Sequence, residues 1–386
     1  MQSLAVAGIL AHLALRFAPV WIALALTFGL SLPFRRRLGL YGKLFDSPIG
    51  MIGFLIVMFW VYTAIFAPLI MTHDPLNQIY RLKNAAPGAA LPLSQKGYPY
   101  FLLGGDNLAR DVFSRMVAGA RLVLIIAPAA TAIAYMVGIM LGLPAGYYGG
   151  RRDSLLTFLA NLVLAFPVIL LFYLLVTPAI RQMGIPTDLA AVLFLIPILF
   201  VVVLINARFR FQPGRRNLYV ALALLLGLWL YAGAAFNADP FGLIRMDANK
   251  LNIFVAVVFV NSPTVFRIVR GLTFDIKSRD YVAAAQTRGE GPWYIMLWEI
   301  LPNARGPLIV DFCLRIGYTT ILLGTLGFFG LGFSPESPDW GSTINAGRKL
   351  LSIYPAPAFV PAIALMSLVL GLNLLADGLR EESLKD

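Results

Sequence analysis

Four charged residues, Asp106, Arg110, Asp111 and Arg115, recur at intervals of four, one and four. On a helix this spacing gathers the charges on one side and leaves Val112, Phe113, Met116 and Val117 on the other. Such a segment serves as a helix lying on a membrane surface, or as a gate or docking element. Asp311 and Arg315, four residues apart, form the one acid–base combination inside a long apolar stretch. At that spacing they pair on one helix face; a lone carboxylate in lipid would instead mark ion coupling. Other chemistry is missing. No G-x-x-x-x-G-K-[ST] phosphate loop, H-E-x-x-H, G-x-S-x-G elbow or EF-hand loop occurs. His12 and His73 lie far apart and Cys313 is the single cysteine, so no metal site, disulfide framework or catalytic residue is expected.

The elements that hold these residues must be membrane helices. The chain has 386 residues, 59% hydrophobic and 13% charged, against roughly half and about a quarter in a soluble domain. A soluble globule cannot hide so much apolar surface. Runs long enough to cross the hydrocarbon core, about 20 residues, occur at Phe17–Phe34, Ser47–His73, Leu122–Gly150, Ser154–Ile180, Leu189–Ala207, Asn217–Ala238, Leu251–Phe266, Ile316–Pro335 and Leu350–Ala376. The eighth begins earlier, near Pro307. Pro167, Pro197 and Pro263 are expected to kink their spans. The net charge of +12 fits loop topology better than nucleic-acid binding. Arg35–Arg37, Arg151, Arg152, Arg208, Arg210, Arg215, Arg216, Arg267 and Arg270 all fall on the side that the C-terminus shares. That side is read as cytoplasmic, with the N-terminus outside. The first span lacks a basic n-region and is followed by Arg35-Arg36-Arg37, as a retained anchor would be rather than a signal peptide.

Two loops exceed what a connector needs. One, Thr72–Arg121, carries the charged run. The other, Arg267–Gly306, predicts a compact knuckle: Asp280 caps a helix Tyr281–Arg288, Gly289 stops it, Gly291-Pro292 turns the chain, and a second helix, Trp293–Ile300, ends at Pro302. Ala283, Ala284 and Ala285 would be exposed, and their small side chains would permit close approach to a partner's groove. Gly138, Gly142 and Gly146 form a small-residue stripe, for packing within the subunit or for a dimer seam. Gly324, Gly327, Gly330 and Gly332 suit a flexible or pore-lining helix.

The segment Tyr281–Asn303 resembles the EAA loop of ABC-importer permeases: Ala284, Ala285, Gly289, Leu301 and Pro302 match, while Ala283 replaces the usual Glu. LLGGDNLARDVFSR (Leu102–Arg115), with Ala109 where Gly is usual, GYYGGRRDS (Gly146–Ser154), LGFFGLGFSPESPDWG (Leu326–Gly341) and LGLNLLADGLRE (Leu370–Glu381) resemble further motifs, in order, of the C-type permease of dipeptide, oligopeptide and nickel importers.

The resemblance implies an all-α polytopic protein with the type I ABC importer permease fold. About nine helices are expected, a six-helix family core plus one N-terminal and two inserted helices. The organisation expected is residues 1–46, an extra helix and basic linker; 47–121, the first core helix and outer loop; 122–380, the permease core, with the inserted pair near 181–250 and the coupling loop at 275–305; and 381–386, a tail. The inserted pair reads as lipid-facing padding rather than as a site for a regulator or lipid. The resemblance also implies import of peptides or another small solute through a bacterial inner membrane. Expected partners are a homologous second permease, two cytoplasmic ABC ATPases, an extracytoplasmic solute-binding protein and membrane lipids, with no nucleic acid. ATP and Mg would be bound by the ATPases, and this chain would hold no cofactor. Arg279, Asp280, Tyr281, Ala283, Ala284, Ala285, Gly289, Pro292, Leu301 and Pro302 would form the ATPase-coupling element. Asp106, Arg110, Asp111 and Arg115 would form an outer gate or docking element, and Asn161 and Asn261 are candidates for the translocation path. A stand-alone secondary transporter is the alternative, and a membrane-embedded enzyme a third reading; neither needs the knuckle.

Overall fold

The computed structural model describes residues 3–92, 97–242, 246–334 and 336–383. Among the described residues, eight helices are long and apolar enough to cross a membrane: Ala18–Arg37, Pro48–Ile65, Val112–Tyr148, Ile185–Arg208, Pro213–Phe236, Ala248–Ile276, Arg305–Phe328 and Ala356–Glu381. A ninth exists if Gly150–Leu164 and Val168–Val176, bent by 80° against each other, count as one span. All nine expected stretches fall on these elements. The break coincides with Pro167, which has no N–H to donate and disfavours helical geometry in the residue before it. Pro263, by contrast, sits inside the unbroken Ala248–Ile276 helix. Pro335, the expected end of the eighth span, and residues 384–386 of the tail lie outside the described residues; that helix ends at Phe328.

The chain divides into two compact units, Met1–Pro128 with Cys313–Asp386, and Ala129–Phe312. In the first, Pro48–Ile65 crosses Ala356–Ser383 at bare backbone. A Cβ on Gly53 would lie 2.3 Å from the Leu375 nitrogen, and one on Gly378 would lie 2.3 Å from the Gly50 Cα. In lipid, where apolar burial does not drive helices together, such close approach supplies the packing energy. A helix over Val6–Arg16, too short to register as a span, packs on the first unit: Arg16 stacks 4.2 Å over the Tyr98 ring, and the Leu4 N–H donates to the Gly88 carbonyl at 2.9 Å.

In the second unit the stripe Gly138, Gly142 and Gly146 packs within the chain. Added Cβ atoms would meet Val265 at 2.5 Å, the Phe266 carbonyl at 2.9 Å and Thr273 at 2.6 Å, all on Ala248–Ile276. Gly142→Leu is therefore expected to lower the melting temperature in detergent by several degrees, as overpacking costs about 1–3 kcal/mol or more. Gly271→Leu, with nothing within 4 Å of its Cβ position, should melt near the wild-type temperature. Equal melting of the two variants would overturn the assignment. Gly324 and Gly327 are likewise packing residues: a Cβ on Gly327 would meet an Asp339 oxygen at 2.4 Å, and one on Gly341 the Gly324 carbonyl at 2.1 Å.

The inserted helices Ile185–Arg208 and Pro213–Phe236 pack as a hairpin. Gly227 faces Ile198, the Tyr231 hydroxyl donates to the Ala191 carbonyl at 3.1 Å, and Phe194 meets Phe254 edge-on. Leu218, Leu222 and Leu225 are exposed, as a lipid-facing surface requires.

Candidate functional site

The knuckle folds as two helices. The first, Asp280–Thr287, has Arg279 in the N-cap position and no side-chain cap, so Asp280 is the first helical residue rather than the cap. Gly289 ends it at φ +76°, the left-handed conformation that glycine adopts without cost. Pro292 opens the second helix with its preset φ, where a missing N–H does no harm. That helix runs through a π-helical stretch, Ile295–Ile300, and on to Asn303. Pro302 does not stop it: the proline sits in the first turn of the segment Leu301–Asn303, and the chain turns only at Ala304.

The knuckle rests on a floor of Val282, Ala285, Ile295, Met296, Leu297, Ile300, Ala304 and Leu308, continuous with Leu143, Val265 and Val269 of the spans beneath. Ala285 is fully buried there, so only Ala283 and Ala284 of the three alanines are exposed, together with Arg279, Asp280, Tyr281, Gly289 and Pro292. The helical period produces this split: Val282 and Ala285, three apart, face the floor, and the residues between them face outward. The Lys277 ammonium donates to the Gly146 carbonyl at 2.9 Å, capping the end of Val112–Tyr148, and the Gln286 amide reaches the Tyr147 hydroxyl at 3.2 Å. Arg270 holds Asp153 through both carboxylate oxygens, the second at 2.6 Å. The inserted hairpin also touches the knuckle, with Arg208 4.8 Å over the Trp298 ring. The knuckle is thereby tied to three spans through packed side chains and hydrogen bonds.

The charged run behaves differently from its helical spacing. Helix begins only at Val112, and Gly104–Asp111 forms a tight loop closed by a bridge between Gly105 and Asp111. The Asp106 carboxylate accepts from the backbone N–H groups of Leu108 and Arg110 at 2.8 and 2.9 Å and from Arg110 Nε at 2.7 Å. Asp111 accepts from Thr72, from the Ser114 hydroxyl at 2.6 Å and from the Ser114 N–H at 3.1 Å, capping the long helix. Arg115 donates to the Ser337 carbonyl at 2.7 Å and to Thr343 Oγ1 at 3.1 Å. All four residues are at most 2% exposed. No amphipathic surface helix forms; the local Asx turn outcompetes it. Ala109 sits at φ +61° in this loop, which is why the resembling motif has glycine there. Nearby, Asp339 caps Trp340–Arg348 by accepting from Ser342 N at 2.8 Å, and burial pushes its carboxyl above the ordinary range, with hydrogen bonds from Ser342 and the charge of Arg115 pulling the other way.

Asn161 accepts from Arg267 at 2.6 Å, and Asn261 is buried and donates to the Val257 carbonyl one turn back. Asp311 accepts from the Tyr135 hydroxyl, a partner that the i, i+4 spacing with Arg315 did not indicate. Among the described residues no three His, Cys, Asp or Glu side chains gather as metal ligands would.

Residues 134–381, more than half of the chain, match the family described as binding-protein-dependent transport system inner membrane component. Residues 41–87 match the N-terminal TM domain of oligopeptide transport permease C. The glutathione transport system permease protein GsiD of Pectobacterium atrosepticum is 29% identical over 328 residues, covering 85% of this chain and 83% of the relative. The di/tripeptide transport system permease protein DppC of Pseudomonas aeruginosa is 28% identical, covering 85% of each. The Haemophilus influenzae dipeptide transport system permease protein DppC is 27% identical, covering 86% of this chain and 88% of the relative. With its apolar helices and its projecting knuckle accounted for, the chain belongs to the family of binding-protein-dependent transport system inner membrane components, as a C-type permease subunit of an ABC importer.

Proposed function

We propose that this subunit forms half of a translocation path for peptides or a similar small solute, and that the knuckle Arg279–Asn303 couples the path to ATP hydrolysis in separate subunits. The observation that carries the reading is the knuckle itself. It presents small, exposed side chains at Ala283 and Ala284 above a floor continuous with three spans. ATP and Mg belong to the partner ATPases, and this chain supplies no cofactor. A homologous permease completes the path, a solute-binding protein delivers the solute, and the N-terminus lies outside with the knuckle and C-terminus in the cytoplasm. The peptide class is carried over from relatives whose names specify dipeptides, tripeptides and glutathione. Asp106, Arg110, Asp111 and Arg115 support the docking side structurally, since all four are buried beneath the surface a ligand would meet. Asn161 and Asn261 have polar partners within the chain, which weakens them as path residues.

Coupling requires the knuckle to make different contacts in the two conformations. Purification of the tagged chain from its native membrane in mild detergent, followed by mass spectrometry, is expected to recover a second permease and two Walker-motif ATPases. Recovery of a monodisperse chain alone would overturn the assembly.

A further inference from the structure

The inserted hairpin turns at 209–212, and its basic turn faces the knuckle across a cavity of about 430 Å³. Asn206, Arg210, Arg216, Gly291, Trp293 and Tyr294 line it, and no carboxylate does. Arg216 Nε donates to Asn217 at 3.2 Å, and Arg210 stands beside Gly291, where an added Cβ would lie 3.3 Å from its Nη1. Neither guanidinium is in an ion pair with an Asp or Glu of the described residues. Two unneutralised guanidinium forks, an amide and two amphipathic rings around one cavity match a phosphate group, which arginine binds in bidentate fashion. Two further features favour a lipid over a soluble phosphate. Phe211, at the tip of the same turn, is 81% exposed, as a ring anchored among acyl chains would be. Farther from the turn, the same two helices, with Phe254 of the Ala248–Ile276 helix, line a mainly apolar cavity of about 440 Å³ that includes Ile198, Leu226 and Leu230.

We infer that this cavity binds the phosphate headgroup of an acidic phospholipid. The insertion then does more than face lipid. One specific lipid bridges the hairpin to Gly291–Tyr294, the N-cap and first turn of the second knuckle helix. The inference goes beyond the coupling reading and does not require it; it needs only that the turn lies at the membrane–water boundary.

The full chain, delipidated in detergent, is offered equal amounts of phosphatidylglycerol and phosphatidylcholine with identical acyl chains, and retained lipid is read by native mass spectrometry. Retention of phosphatidylglycerol is expected to exceed that of phosphatidylcholine by about tenfold. Arg210→Gln/Arg216→Gln should abolish the preference. Arg151→Gln/Arg152→Gln, which removes the same charge from the exposed first turn of the Gly150–Leu164 helix, should keep it. A preference that survives Arg210→Gln/Arg216→Gln, or that both double variants lose equally, would overturn the site. Displacement of phosphatidylglycerol by millimolar glycerol phosphate would overturn the lipid as its source. The readout involves no ATP, binding protein or transport, so it stands or fails separately from the coupling reading.

Discussion

Ala284→Glu is expected to abolish solute uptake while leaving the subunit folded, and Ala285→Glu to destroy the folded subunit itself. The two positions are adjacent, but the helix Asp280–Thr287 turns one outward and the other into its floor. Ala285 is 0% exposed, with Val282, Ile295 and Met296 in the same cluster. A carboxylate there has no partner to accept, and an unpaired buried charge costs several kcal/mol, a large share of the roughly 5–15 kcal/mol that holds a domain together. Ala284 is exposed, and substitutions at such positions change stability by about 0.5 kcal/mol or less. What a glutamate at 284 does alter is fit: a longer, charged side chain stands where the surface is bare enough to enter a partner's groove. Central contacts of that kind are worth about 2 kcal/mol or more, or roughly thirtyfold in affinity. Fluorescence-detected gel filtration reads the fold and labelled-peptide uptake by cells reads the coupling. Wild-type uptake with Ala284→Glu would sink the coupling role of this surface. A monodisperse Ala285→Glu subunit would show that the floor is not packed as described.

Composition alone carried the class, and long apolar runs carried the spans, because a helix in lipid has one dominant requirement, length without charge. The break at Pro167 was legible for the same reason: a proline acts locally through its missing N–H. Pro263 does not break its helix, since neighbouring helices and side chains in a bundle can satisfy the freed backbone groups. The knuckle was legible as far as glycines and prolines punctuate it. Its π-helical stretch and the burial of Ala285 were not, because both depend on which face meets Ile295–Ile300. The glycine stripe 138–142–146 announced close packing but could not name its partner; small residues look alike whether they face a helix of the same chain or of another.

The charged run failed for a more instructive reason. Intervals of four, one and four satisfy a helical face, yet an Asp followed by two backbone donors closes its own turn. Once Asp106 binds the N–H groups of Leu108 and Arg110, the helix cannot include them. The signal was available in the motif: a position where glycine is usual, filled here by Ala109, lies at positive φ, and a left-handed residue excludes a continuous helix.

Arg115→Met is expected to cost the subunit about 3–5 kcal/mol, the scale for breaking a buried charge network by removing one member. Methionine fills much of the volume but leaves the Ser337 carbonyl and Thr343 without the donor that joins the start of the long helix to the Trp340–Arg348 region. Asp106 keeps Arg110 but loses the second guanidinium, which stands 3.8 Å away. Arg115→Lys keeps the charge without the fork and should fall between the two. The loss should also depend on pH. Burial raises the Asp339 carboxyl, and the Arg115 charge pulls it back. A carboxyl raised above its unfolded value gives stability that is fully present below the unfolded pKa and lost as pH rises through the folded one. Removing Arg115 lets Asp339 rise further and widens that window upward. The melting-temperature gap between wild type and Arg115→Met is therefore expected to be larger at pH 8 than at pH 5, and adding Asp339→Asn should remove the difference. A gap that is the same at both pH values would show that Arg115 holds this corner through geometry alone, with no electrostatic hold on Asp339.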